Sequence, residues 1–202
     1  FPESVLYIYR KQLEEADAIV LNKIDLLSPE ALERLKAALG DRFPATPILT
    51  MSALSGQGVD QWLEFVARAH PAGGKIAEVD YDTYAAGEAA LGWLNASATL
   101  EARDNADWQA FVAALLEAIR QNLVARGAQI AHLKLYLAAS GASTAGNITG
   151  NKVAASVRGE IPPTHRKVRL TLNARVHVQP DVLREVVEQS LLHVAGKRIA
   201  IR

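Results

Sequence analysis

Two hydrophobic patterns succeed one another along the chain. Over the first 70 residues, short and wholly apolar runs alternate with amphipathic ones. Leu6 to Glu15 has a helical pattern that ends in acids. Ala18-Ile19-Val20-Leu21 is a short apolar run, as expected of a strand covered on both faces. Ser28 is a natural N-cap, Pro29 suits a first helical turn, and Gly40 is the expected stop. Pro47-Ile48-Leu49-Thr50-Met51 predicts a second strand. Val59, Trp62, Leu63, Val66 and Ala69 then recur at helical spacing. The order βαβα predicts a parallel sheet.

From His70 to Val79 periodicity is lost, and Pro71, Gly73 and Gly74 fall within the stretch. It reads as a linker, so the expected organisation is residues 1–70, a linker at 71–79, and a second domain over 80–202. Beyond it, Glu88 to Glu101 has the pattern of a long strand. Asn105 or Asp107 caps a helix whose apolar stripe is Trp108, Phe111, Val112, Leu115, Ile119 and Leu123, with Gly127 as its stop. Three strands are predicted near 130–139, 152–158 and 168–178. Pro180 opens a last helix with Leu183, Val186, Val187, Leu191 and Val194 on one face, closed by Gly196. The expected fold class is a partial α/β domain of parallel strands and helices, followed by an α+β domain of order βαβββα with a mainly antiparallel sheet.

Alternation within these strands sorts their faces. Val168, Leu170, Leu172, Ala174, Val176 and Val178 share one side, and Arg169, Thr171, Asn173, Arg175 and His177 share the other. Ala131, Leu133, Leu135 and Leu137 oppose His132, Lys134 and Tyr136 in the same way, and Asn95, Ser97, Thr99 and Glu101 lie together. One sheet face is therefore expected beneath the helices and the other in water or against a partner.

Composition narrows the class. The 202 residues hold 22 Lys and Arg against 22 Asp and Glu, and this balance argues against a nucleic-acid partner. Half the residues are hydrophobic, enough for a buried core. Cys is absent, which excludes disulfides and thiolate metal sites within this chain. No apolar run approaches the roughly 18 residues of a membrane span, so no membrane partner and a cytoplasmic location are expected.

The candidate chemistry follows the two apolar runs directly. Asn22-Lys23-Ile24-Asp25 comes after the first, and Ser52-Ala53-Leu54 after the second. Ligands of α/β sheets bind at the carboxyl ends of strands. A carboxylate at Asp25 can accept from the ring N–H and the exocyclic amine of guanine, whereas adenine would leave it badly paired. Asn22 can tie its loop to a neighbouring strand, and the stem of Lys23 can lie over the base. The backbone N–H of Ala53 can donate to the guanine carbonyl.

These residues resemble the guanine-specificity motifs of P-loop GTPases. The longer string from Tyr9-Arg10-Lys11-Gln12-Leu13 through Ala18-Ile19-Val20-Leu21-Asn22-Lys23-Ile24-Asp25-Leu26-Leu27 resembles the CobW-like family, GTPases linked to metal delivery and cobalamin synthesis. Gly146-Asn147-Ile148-Thr149-Gly150 and Asn173-Ala174-Arg175-Val176 are also similar to that family. The resemblance implies GTP and Mg²⁺ as ligands of the full-length protein. It implies base selection by Asn22, Lys23 and Asp25, with Ser52, Ala53 and Leu54 closing the pocket and none of them catalytic. It further implies a C-terminal domain that couples the switch to a client metalloprotein.

A phosphate loop of the form GxxxxGK[ST] and a DxxG are missing. Gly73-Gly74-Lys75-Ile76 has the Gly-Lys pair, but position 69 is Ala69 and Ile76 cannot ligate Mg²⁺. Gly141 and Gly146 have the glycine spacing, but Asn147-Ile148 follow them. The expectation is that a longer protein carries the phosphate loop, Mg²⁺ ligands and switches before Phe1, and that this missing half is the chain's first partner. The alternative is a non-catalytic interaction module with a remnant half domain. His70, His132, His165, His177 and His193 show no HxH or HxxxH spacing, so no metal ligand is expected. The 202-residue chain on its own is predicted not to turn over GTP, because most nucleotide affinity comes from phosphate and Mg²⁺ contacts. Phosphate release by the purified chain well above a buffer control would overturn this.

Overall fold

The structure, a computed structural model, describes residues 1–68 and 73–202. Ala69, His70 and Pro71, which enter the expected helical stripe, the histidine set and the linker, lie outside the described residues. Two compact units are present: Glu3–Tyr84, and Ala85–Arg202 together with Phe1–Pro2. Neutrality hides a division between them. Residues 1–84 hold 8 Lys and Arg against 13 Asp and Glu, whereas residues 85–202 hold 14 against 9.

In the first unit, helix α1 (Glu3–Glu15) leads to strand β1 (Ile19–Leu21), and helix α2 (Pro29–Arg42) leads to strand β2 (Ile48–Thr50). The strands pair in parallel, with Ile19 opposite Ile48 and Leu21 opposite Thr50. Ser28 caps α2 by accepting from the Ala31 N–H at 3.2 Å. The helix does not stop at Gly40. It continues to Arg42, because Gly40 keeps an ordinary helical backbone and the turn closes through the Phe43 N–H to the Leu39 carbonyl, just before Pro44. Helix α3 (Val59–Ala67) forms at the expected place, but none of its residues is buried, and Leu63 and Val66 are 50% and 62% exposed. An apolar stripe predicts a helix; it does not supply the surface that would cover it. Helix α4 (Tyr81–Ala89) starts in this unit and ends in the next.

In the second unit the long strand is shorter at its start than the sequence pattern suggested. Glu88 and Ala89 still belong to α4, and strand β3 runs over Gly92–Ala102. The stretch Ala85-Ala86-Gly87-Glu88-Ala89 is small and Ala-rich, and alanine favours helix. Helix α5 (Trp108–Ala125) is capped by Asp107, which accepts from the Ala110 N–H at 2.9 Å. Strands β4 (Gln129–Ala139), β5 (Ala142–Ile148), β6 (Ser156–Glu160) and β7 (Lys167–His177) follow, then helix α6 (Pro180–Ala195) and strand β8 (Ile199–Ile201). The six strands form one antiparallel sheet in the order β6-β5-β4-β7-β3-β8. The α/β and α+β classes stand as expected, and β5 and β8 add two strands to the expected order. The signal for β5 was a tight turn at Ser140-Gly141, with Gly141 at φ 72° joining it to β4 as a hairpin.

The core lies between α5, α6 and one face of this sheet. Trp108, Val112, Leu115, Leu116, Ile119 and Leu123 are fully buried, as are Leu133, Leu137, Ala174 and Val176 opposite them. The indole N–H of Trp108 donates to the His165 carbonyl at 2.8 Å, which satisfies the one polar atom of that ring. One expected alternation shifts. A bulge between Ile130 and His132 turns Ile130 rather than Ala131 into the core, and the side-chain amide of Asn151 takes up the Ile130 N–H.

Gly146 is a packing glycine. A Cβ there would lie 2.6 Å from both Val112 and Leu116, whereas one at Gly150 would meet only Val153 at 3.7 Å. Gly146→Ala is expected to destabilise the protein by about 1–3 kcal/mol through overpacking, and Gly150→Ala to stay within about 0.5 kcal/mol. Urea unfolding of both variants checks the difference.

Candidate functional site

The first unit brings its two sequence motifs together at the carboxyl ends of β1 and β2. The parallel register continues past the strands: the Met51 N–H donates to the Leu21 carbonyl at 2.8 Å, and the Ile24 N–H to the Met51 carbonyl at 3.3 Å. Ile24 is buried and begins a single 3₁₀ turn, Ile24–Leu26, so the loop is anchored while Asn22, Lys23 and Asp25 remain exposed.

Asn22 joins the two loops. Its side-chain oxygen accepts from the Lys23 N–H at 2.7 Å and from the Ala53 N–H at 3.0 Å. Lys23 takes a left-handed backbone, φ 66°, and is the single non-glycine residue with positive φ among the described residues. A lysine pays roughly 1–2 kcal/mol for that conformation, so the surrounding bonds must hold it. Asp25 is fixed from the other loop: the buried Ser52 hydroxyl donates to its Oδ1 at 2.5 Å, and the same hydroxyl accepts from the Ser55 N–H at 3.2 Å. Ser52 is thereby a positioning residue for the carboxylate, a role its sequence position does not disclose.

The second loop closes on itself. The Gly56 N–H donates to the Ser52 carbonyl at 2.9 Å, and the Ser52 N–H to the Gln57 carbonyl at 2.8 Å. Gly58, at φ 74°, returns the chain against the Thr50 carbonyl, where a Cβ would clash with backbone. Leu54 projects from this loop and is 60% exposed.

Two expectations change in detail. The Ala53 N–H already bonds Asn22, so it is not a free donor for a ligand carbonyl. Asp25 is exposed, so a base would find a solvated carboxylate with Oδ2 open and Oδ1 partly used. Both oxygens are acceptors, so the carboxylate can take N–H groups presented side by side. Among the described residues no three of His, Cys, Asp and Glu gather as a metal site. His132 is instead spent on a neighbour: its Nε2 lies 2.6 Å from the amide oxygen of Asn173, which only accepts, so Nε2 carries the proton.

Lys75 stands apart from these motifs. Its ammonium binds the Ala16 carbonyl at 3.2 Å and the Thr46 hydroxyl at 2.8 Å, before β1 and β2 begin. It borders a cavity of about 640 Å³ walled by Trp62, Phe65 and Val66. The Gly-Gly-Lys sequence is thus a structural tie at the opposite strand ends.

No protein-family model matches the chain. It is similar to the protein named GTPase Era of Geotalea uraniireducens, 45% identical over 64 residues, which is 30% of this chain and 22% of that protein. It is similar to GTPase Era of Mesorhizobium japonicum at 36% identity over 63 residues, 31% of this chain and 20% of that protein. The matched segment thus spans about a fifth of the length of these curated relatives. Among solved structures, the Zn(II)-bound YjiA GTPase from E. coli aligns with 94% of this chain and 55% of its own, at 14% identity and a TM-score of 0.36. A Zn(II)-bound triple mutant of YjiA aligns with 95% and 55%, at 16% identity and a TM-score of 0.35. No helix among the described residues is long and apolar enough to cross a membrane.

Asn22→Ala removes the acceptor shared by two backbone donors. It is expected to speed hydrogen exchange at the Ala53 amide, while global stability falls by only about 0.5–1.5 kcal/mol because the site is exposed. NMR exchange rates read the first and urea unfolding the second.

Proposed function

We propose that this chain carries the guanine-recognition edge of a GTP-binding protein of the CobW-like kind. The observation that carries the reading is the Ser52–Asp25 bond together with the Asn22–Ala53 tie. Two loops from separate strand ends converge to hold one carboxylate in a fixed direction beside a strained lysine. A merely solvated polar loop has no need of a buried hydroxyl aimed at an exposed acid. The partial similarity to GTPases supports the same reading.

In this reading Asp25 accepts from the two N–H groups of the guanine edge, and the Ser52 hydroxyl, by donating to Oδ1, fixes the direction of the carboxylate. Lys23 covers one face of the base with its aliphatic stem, held there by its left-handed backbone. Asn22 and Ala53 brace the pocket, and Leu54 flanks it. GTP would lie with its phosphates away from these residues, on a phosphate loop and Mg²⁺ ligands contributed by the rest of a complete GTPase domain. The missing half of that domain is then the first partner. The second unit, residues 85–202, would couple nucleotide state to a client, with metal delivery or cobalamin-related metabolism as the setting.

Asp25→Asn in a protein with the complete GTPase domain is expected to weaken GTP binding about tenfold to a hundredfold and to favour xanthosine triphosphate. The amide offers a donor to the extra carbonyl of xanthine, where the carboxylate could only accept. Titration of both nucleotides against both proteins tests this, and unchanged GTP affinity would remove Asp25 from the pocket. Ser52→Ala is expected to lower GTP affinity by a smaller factor without the change in base preference, which separates orientation from recognition.

A further inference from the structure

β3 is 11 residues long, but β8 pairs only with Leu100–Ala102 on its outer side. Thr99 and Arg202 add one reciprocal pair, the Thr99 N–H to the Arg202 carbonyl at 2.8 Å and the Arg202 N–H to the Thr99 carbonyl at 2.9 Å. Among the described residues no strand borders Trp93–Ala98 on that side. An antiparallel ladder turns every second residue the same way, so Ser97, Asn95 and Trp93 direct their N–H and C=O groups outward as Thr99 does. Among the described residues these groups have no backbone partner on that edge.

Open edges invite pairing, and proteins usually blunt them with charge, proline, bulges or brevity. The opposite edge of this sheet is blunted. β6 has five residues, carries Arg158 and Glu160 around Gly159 at φ 83°, and runs into Pro162-Pro163. The window Trp93-Leu94-Asn95-Ala96-Ser97-Ala98 has no charge and no proline, and it pairs with β7 without a bulge. Its core-facing residues are also left short of cover. Leu94, Ala96 and Ala98 are only partly buried, whereas Leu170, Leu172 and Ala174 beside them on β7 are 0–2% exposed.

We propose that this window pairs with the same window of a second copy of the chain, antiparallel about a twofold axis at Asn95, so that two sheets become one. The window is self-complementary in that register. The outward groups of Trp93, Asn95 and Ser97 meet those of Ser97, Asn95 and Trp93 of the second copy. Large side chains face small ones on both sides of the sheet: Trp93 faces Ser97, and Leu94 faces Ala96. The lengths also agree. β3 begins at Gly92, which reaches Ala98 of the second copy and stops one residue short of Thr99, where Arg202 sits. A contact this short buries less than the roughly 1,200 Å² of a stable interface, so the pairing is weak and depends on concentration.

Sedimentation velocity on the intact chain from about 10 µM to about 1 mM tests it, that range covering weak affinities. The wild type is expected to shift reversibly from monomer to dimer. Asn95→Lys and Asn95→Asp each place like charges on the axis and are expected to weaken the dimer by about tenfold or more, while an equimolar mixture of the two associates again. Ser97→Pro removes an N–H that has no hydrogen-bond partner among the described residues, so circular dichroism and the melting curve are expected to be preserved while dimerisation is lost. A wild type that stays monomeric at the top of the range overturns the proposal. So does a dimer that survives Ser97→Pro, or a charge-swapped mixture that associates no better than either variant alone. An edge that instead captures an extended peptide of alternating apolar and polar residues, with the chain itself monomeric, would assign the window to a different partner and also overturn it.

Discussion

Three parallel pairs between β1 and β2 govern what the first unit can do. They place Leu21 beside Thr50, and so bring the residues that follow each strand side by side. Asn22 can then reach Ala53, and Ser52 can reach Asp25, although 31 and 27 positions separate them along the chain. A two-stranded sheet is marginal alone, and parallel sheets are normally covered on both faces. The side-chain bonds between the two loops, the buried Ile24 and Met51, and the turn at Gly58 therefore all act on the same small frame. Loss of the register would scatter the site before it altered any single bond.

The second unit rests on a different constraint. A sheet covered by helices on one face must bury one alternation and expose the other. α5 and α6 meet the first, and the outer face is left to Asn95, Tyr136, Thr171, Arg175 and their neighbours. That face is organised rather than loosely solvated. His132 donates to Asn173, whose amide donates in turn to Asn95, linking three adjacent strands. The Arg175 guanidinium lies 4.2 Å from the Trp93 ring centroid and 3.3 Å from Glu88, so its charge is paired within the unit. Such a network ties β3 to β7 and β4 close to its free edge, along a β3–β7 ladder that has no bulge.

Much of this was legible in the chain because it depends on local period. Buried strands, the α5 stripe, the Ser28 and Asp107 caps and the grouping of Asn22, Lys23 and Asp25 with Ser52, Ala53 and Leu54 at strand ends all follow from spacing and residue type. Where spacing was ambiguous the expectation failed in detail. The apolar pattern of an Ala-rich run does not separate helix from strand, but alanine's helix preference does, and the first residues assigned to β3 are the end of α4. Gly40 suggests a stop only when the next turn cannot close, and here it closes. Gly141 to Gly146 carried the spacing of a phosphate loop but built a hairpin and a close helix contact.

The sequence by itself determined which faces would be apolar, where chains would turn and which side chains stood ready at the strand ends, because those properties need only neighbours within a few residues. Tertiary structure alone decided which strands became neighbours, that β4 lies against β7, and that a bulge exchanges Ile130 for Ala131. It also decided that the Ala53 N–H is taken by Asn22, that Ser52 aims Asp25, and that β3, paired with β7 along its inner side, meets β8 over only its last residues on the outer side. Hydrogen bonds between distant segments depend on register, and register is settled when separate hydrophobic faces find one shared core.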